Sequence, residues 1–335
     1  MIQEFELRRP DDFHVHLRQD EELPAYVRTV AGQFARALVM PNLLPAVARA
    51  EDVLHYRDQI LAVGTGLEPL MVFKVLGSHR PEEVASLKAA GVLAGKVYPE
   101  GVTTNSDDGV REIAALAPFL EVMQDAGLVL CLHGEAPGAF VLDRETAFLE
   151  SLRWIVANFP SLRVVLEHVS TRAAVEAVRE LPERVAATIT LHHLEITLDD
   201  VIGGALRPHL FCKPLAKRPE DRAALQEAAF SGHPKFFFGS DSAPHRKDRK
   251  ECAAGCAGVY TMPNALECLV GLFERQGKLE RLEDFVASFG ADFYGLPHNA
   301  GKVRLVREPC RVADLVDGAV PYRAGQILPW RRIPV

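Results

Sequence analysis

A (β/α)8 barrel of the TIM type, continued by C-terminal helices and an extended tail, is the fold this sequence predicts. Three observations lead to it: eight short β-rich apolar runs that end in polar residues, stretches of helical periodicity between them, and no break in composition that would divide the chain. Parallel strands need helical crossovers, and eight strand–helix units fit a closed barrel better than an open sheet.

In chain order the expected strands are Asp12–Leu17, Ala35–Met40, Pro69–Val75, Leu93–Tyr98, Leu128–His133, Arg163–His168, Arg184–Leu191 and Lys235–Ser240. Between them the 3.6-residue period predicts helices over Glu51–Val63, Pro81–Ala90, Val110–Ala126, Thr146–Asn158 and Thr171–Leu181. Pro81 suits a first helical turn, where its missing N–H is no loss, and Glu82 and Glu83 suit the positive end of the helix dipole. Helical stretches Asn264–Gln276 and Leu282–Phe293 follow the eighth strand, and a Pro/Gly-punctuated tail from Gly295 is expected to lie across the barrel surface. Residues 1–335 read as a single domain, with no repeat, low-complexity segment or linker.

Composition narrows the function. With 48% hydrophobic and 25% charged residues the chain can bury a large core, which excludes disorder and small disulfide scaffolds. A net charge of −7 argues against a nucleic-acid partner, which would call for clustered excess positive charge, so a small-molecule substrate is expected. No apolar stretch of signal-peptide length precedes Arg8, Arg9 and Pro10, and no run approaches the ~20 apolar residues that span a bilayer. The expectation is a cytoplasmic protein without a membrane partner. Six scattered cysteines suit reduced thiols; the one close pair, Cys252 and Cys256, lacks a second Cys/His pair and is expected to be two small buried thiols in a turn.

In a (β/α)8 barrel the chemistry sits where strands end. The first strand carries His14-Val15-His16, whose imidazoles share one face at i and i+2 and can converge on a metal. Strand five closes with His133-Gly134-Glu135, strand six with Glu167-His168, and strand eight with Asp241 followed by His245. Any one of these is readable as a hydrogen-bonded core residue, but their repetition on four strands points to a metal centre. Lys96 ends strand four; beside cations its amine would be driven neutral and could take up CO₂ as a bridging carbamate, but spacing alone favours a lysine that snorkels or pairs with an acid. His192-His193, ending strand seven, read as rim or structural residues.

The His-x-His of strand one, Lys96, His133, His168 and Asp241 together resemble the amidohydrolase superfamily. FHVHLR at Phe13–Arg18, KVYPEGVTTNS at Lys96–Ser106, HGE at His133–Glu135, and GSDSAPH at Gly239–His245 followed by CAG at Cys256–Gly258 are similar to the short, monofunctional bacterial dihydroorotases, and the similarity spans essentially the whole chain from Pro10.

The resemblance implies two zinc ions per subunit, the more buried one on His14, His16 and Asp241, the other on His133 and His168, with N6-carboxylated Lys96 and a hydroxide bridging them. It implies interconversion of L-dihydroorotate and N-carbamoyl-L-aspartate in pyrimidine biosynthesis, with Asp241 as general base and acid, and a homodimer. Arg18, Asn42 and His245 match the contacts to the substrate carboxylate, and Thr103 and Thr104 match the tip of a lid over 100–109. Lys213 and Ala257 match main-chain contacts, Lys213 standing where an apolar residue is expected. Read without the resemblance, Arg18 is a surface cation, Asn42 a turn former, His245 a loop residue, and Asp107 or Asp108 a helix cap. A hydantoinase or dihydropyrimidinase would share the metal residues and differ beside the ring. A catalytically silent barrel acting as a scaffold would be expected to lose them.

Overall fold

The computed structural model describes residues 2–333. Its central sheet has eight parallel strands in sequential order: Asp11–Val15, Arg36–Val39, Glu68–Lys74, Ala94–Val97, Val129–His133, Val164–Glu167, Val185–Ile189 and Phe236–Phe238. Each expected strand is present. The barrel closes beyond the last strand, where Val15 bridges Ser242 and the His16 and Asp241 amides donate to the Ser242 and His14 carbonyls at 3.1 and 2.8 Å.

The crossovers follow the apolar period in Ala50–Leu61, Glu83–Ala89, Arg144–Asn158 and Arg172–Glu180, and Leu23–Ala31 and Pro219–Phe230 add two more. The helix expected from Val110 begins later, as a 3-10 turn over Ile113–Leu116 leading into Ala117–Asp125. Val110 is instead tied to Pro99 by a bridge, which keeps the preceding loop folded back on the barrel mouth. Asp107 and Asp108 therefore cap no helix.

The tail is more ordered than its Pro/Gly content suggests. Lys302–Val306 pairs antiparallel with Glu4–Arg8, a strand that carries no signal strong enough to be read from the sequence, and Arg331–Arg332 pairs on its other side. No helix among the described residues is long and apolar enough to cross a membrane. All six cysteines are free; Cys252 is exposed and Cys256 half-buried, contrary to the expectation of two buried thiols, because their turn lies at the surface beside the barrel mouth.

Two apolar cores stand on either side of the barrel wall. The larger lies between strands and helices, and the smaller fills the barrel with residues such as Phe13, Leu38, Val72, Val165 and Phe237. The helix Phe289–Tyr294 contributes Tyr294 to this inner core, its ring stacked on Phe13 at 5.1 Å. Gly290 is what allows the approach, since a Cβ there would stand 2.3 Å from Phe13 Cε2. Gly290→Ala is expected to destabilise the fold by about 1–3 kcal/mol through overpacking, read as a lower thermal midpoint with unchanged turnover per folded molecule.

A register shift in the first strand positions the site. Between Asp12 and Val15 the strand carries one more residue than its neighbour spans between Ala37 and Val39. This β-bulge lets Phe13 fill the inner core while His14 and His16 still face the barrel mouth.

Candidate functional site

At the C-terminal ends of the strands lies a cavity lined by His14, His16, Arg18, Asn42, Thr103, Thr104, His133, His168, Lys213, Asp241 and Ala257. Of the residues singled out from the sequence, Lys96 and His245 are the two outside that lining. Lys96 is completely buried on its strand, and His245 sits behind Arg18, its Nε2 3.0 Å from Arg18 Nη2. Tyr98, Ala243 and Gly258 also line the cavity and were not anticipated.

Backbone geometry explains why these side chains converge. Arg18, His168 and Asp241 adopt left-handed φ values of 59°, 42° and 43°, uncommon for non-glycine residues and costing on the order of 1–3 kcal/mol each. Each is held by neighbours: the His168 amide donates to Thr188 Oγ1 at 2.7 Å, the Asp241 amide to the His14 carbonyl, and the Arg18 carbonyl accepts Tyr56 Oη at 2.5 Å. Arg18 thus reaches the cavity through a turn beyond the strand end rather than by strand alternation. Gly239 permits the eighth strand to close in, because a Cβ there would lie 2.9 Å from both His14 and Thr188.

His14, His16 and Asp241 place one potential ligand atom each within 4.8 Å of one another, all buried. Asp241 Oδ1 is 3.4 Å from His14 Nε2 and 3.1 Å from His16 Nε2. On its other nitrogen His14 donates to Glu167 Oε2 at 2.8 Å, and Glu167 also accepts from Thr188 Oγ1 at 2.7 Å. His133 Nε2 is paired with Glu135 Oε2 at 2.7 Å, leaving Nδ1 free. Such carboxylate–histidine pairs fix the tautomer and aim the other ring nitrogen, as metal-ligating histidines require. Glu135 and Glu167 stood in the sequence only as neighbours of the histidines; their orienting role depends on side-chain geometry.

The imidazole centroids of His14, His133 and His168 are spaced 5.0 Å (His14–His168) and 4.8 Å (His133–His168). Burial lowers the pKa of His133 and pushes that of His168 well below the ordinary value, with Lys96 adding to both, while burial brings His16 to about 4. His16, His133 and His168 are thereby biased to the neutral ring, which has a lone pair to offer a metal. For Asp241, burial alone would raise the pKa, but the His16 hydrogen bond and the two neighbouring imidazoles, His14 and His16, outweigh it and hold the carboxyl well below the usual range.

Lys96 is the decisive test of fit. Its ammonium is completely buried with no hydrogen-bond partner, and burial lowers its pKa. His16 Nδ1, His168 Nδ1 and Glu167 Oε1 are likewise buried without partners. An isolated ammonium is costly in such a place, whereas a carbamate among cations would be satisfied. The adjacent strand supplies an internal comparison: Lys74 pairs in register with Lys96, yet its ammonium is bound by Asn105 and Asp108. The donor set fits divalent cations bound by N and O ligands.

Around this centre Arg18 donates to the Pro244 carbonyl at 2.8 Å, and His245, held neutral by burial and then by the Arg18 charge at about 2, leaves its Nε2 3.0 Å from both Arg18 and the Ala257 carbonyl. Asn42 donates to the Thr104 carbonyl at 3.3 Å and accepts at its own carbonyl from Asn105 Nδ2 at 2.9 Å, so the 100–109 loop is folded over the mouth.

His192 and His193 open the short helix Leu191–Glu195 rather than ending the strand, and with Cys212 they form a second buried group able to approach a metal. His193 already bonds Thr190 Oγ1 and the Pro214 carbonyl, at 2.9 and 3.0 Å, and Cys212 donates to that same carbonyl, which suits the structural role read from the sequence.

The profile of the amidohydrolase family matches residues 12–315. The chain is 48% identical to a dihydroorotase of Teredinibacter turnerae over 99% of both chains. Among solved structures it is similar to the Saccharomyces cerevisiae dihydroorotase in complex with 5-fluoroorotic acid, with a TM-score of 0.94 and 34% identity over the full length of both. The L-hydantoinase of Arthrobacter aurescens shares the fold at a TM-score of 0.82 and 17% identity, covering 98% of this chain and 83% of that one. The chain belongs to the amidohydrolase family, and within it to the dihydroorotases.

Proposed function

We propose that the chain catalyses the reversible hydrolysis of L-dihydroorotate to N-carbamoyl-L-aspartate, with His14, His16 and Asp241 as the residues that would hold one divalent cation, His133 and His168 those that would hold a second, and Lys96, as its carbamate, a ligand to both. Two such cations, zinc being suited to this donor set, supply an acidified water and a Lewis acid for the carbonyl under attack. Asp241, ionised and beside both His14 and His16, accepts the proton released on attack and returns it to the departing ring nitrogen, which would otherwise leave as a poor anion. Glu135 and Glu167 keep His133 and His14 in the tautomers that leave a lone pair facing inward.

The observation that carries the substrate assignment is that Arg18 and Asn42 line the cavity beside the histidines, with His245 behind Arg18 at 3.0 Å from its guanidinium. Arg18 offers a planar fork that can exchange its Pro244 and His245 partners for a carboxylate. Thr103 and Thr104 add donors from the folded loop and exclude water, and Ala257 and Lys213 border the ring site, the latter compatible with a main-chain contact whatever its side chain.

The test is turnover of L-dihydroorotate, dihydrouracil and hydantoin by zinc-loaded protein. Preference for L-dihydroorotate is expected, and preference for either uncharged ring would assign the chain to the hydantoinase type instead. Arg18→Met is expected to lower kcat/KM for L-dihydroorotate about 100-fold, the worth of a charge-assisted bidentate contact, with little change for dihydrouracil. Fewer than about one equivalent of zinc after reconstitution would turn the reading to a silent barrel.

A further inference from the structure

Lys74 ends the third barrel strand, one strand away from Lys96, and is 1% exposed. Its ammonium is absorbed by the 100–109 loop: it donates to the Asn105 carbonyl at 2.8 Å and forms an ion pair with Asp108, and it lies 5.9 Å from the centroid of the cavity-lining Tyr98 ring. The loop is also fastened at its base by the pairing of Pro99 with Val110, and over the mouth by the two amide hydrogen bonds between Asn42 and residues 104–105. Its internal bonds, from the Thr103 amide to Ser106 Oγ and from the Gly101 and Gly109 amides to the Ser106 carbonyl, shape the loop and leave its position over the mouth to these anchors.

We propose that Lys74 is a positioning residue that clamps the 100–109 loop inward and thereby sets Thr103 and Thr104 against the bound substrate; this rests on the dihydroorotase reading of the cavity. The physical argument is one of burial. A lysine that met no counter-charge at this depth would carry an uncompensated ammonium, so the closed loop and the buried Lys74 require one another. Opening the loop removes both the Asn105 carbonyl and the Asp108 carboxylate at once. Asp108 is itself half-exposed, so the ion pair alone contributes modestly and the carbonyl bond to Asn105 shares the load. The same contact separates the two neighbouring lysines in function: the loop supplies Lys74 with its counter-charge, while Lys96 keeps an amine free for modification.

The experiment compares zinc-loaded wild type, Lys74→Met, Lys74→Arg, Asp108→Asn and the Lys74→Met/Asp108→Asn double variant. It measures steady-state kinetics in both directions, bound zinc, and hydrogen exchange of the 101–109 amides without substrate. Lys74→Met is expected to lower kcat/KM about tenfold, chiefly through KM, and to speed exchange in the loop while the barrel strands and zinc content stay as in wild type. Asp108→Asn, at an exposed position that does not threaten folding, is expected to act about threefold in the same direction, and the double variant to be no worse than Lys74→Met because both remove one contact. Lys74→Arg is expected to recover most of the KM. Unchanged loop exchange in Lys74→Met, multiplicative effects in the double variant, or faster exchange across the barrel with zinc loss would each overturn the clamp. Exchange is read without substrate, so a wild type that fails to turn over L-dihydroorotate would overturn the assigned reaction while the loop measurement still decides the clamp.

Discussion

Lys96→Met is expected to lower kcat by about four orders of magnitude, equivalent to about 5.5 kcal/mol of barrel-mouth catalysis, and to reduce bound zinc from about two equivalents to one or fewer. Methionine preserves the unbranched shape in a site that is completely buried, so the fold is retained and the loss is chemical. The reason lies in what surrounds the amine. Lys96 is flanked by Glu167, His133 and His168, its Nζ finds no partner, and its ammonium would stand against any cation the histidines hold. Converting that amine to a carbamate replaces one repelling charge with two oxygen donors, which is why a single side-chain change is expected to cost both cations part of their coordination. Metal analysis beside kinetics checks it: two retained zinc equivalents with less than a tenfold loss of kcat would remove Lys96 from the shared position.

The sequence alone carried the framework of this site further than its fine positioning. Strand ends were legible because apolar runs stop at polar residues, and that alone gathered His14, His133, His168 and Asp241 on one rim. What the pattern could not contain was the extra residue between Asp12 and Val15, since a bulge is defined by the pairing register of two strands and leaves no mark in one. The left-handed turns at Arg18, His168 and Asp241 were hidden for a related reason: non-glycine residues announce no positive φ, and these are imposed by partners such as Thr188 and Tyr56 that lie far away in the chain. Lys74 shows the same gap from the other side. At the end of a strand it is indistinguishable by type from Lys96, and only the Asn105 carbonyl and the Asp108 carboxylate that the loop brings to it separate an anchored ammonium from an unpartnered one.

The Asp241→Asn variant is expected to lose about three orders of magnitude in kcat and to stay there in saturating zinc, within the range that positioned proton transfer supplies together with charge loss. The two roles of this carboxylate can be separated because asparagine retains an oxygen donor and the near-isosteric shape while giving up the charge and the basic site. If Asp241 served only to hold a cation, excess zinc would restore most of the rate by mass action. The geometry argues for more: the carboxyl is kept well below its usual range despite burial, because His16 and His14 both face the same Oδ1, so it enters the reaction ionised. A base so strongly stabilised is a weak one in isolation, and it accepts a proton only if that proton is itself acidified. On this reading the role of Asp241 depends on the cations that its neighbours would hold, and kcat measured across a zinc titration of the variant reads that dependence directly.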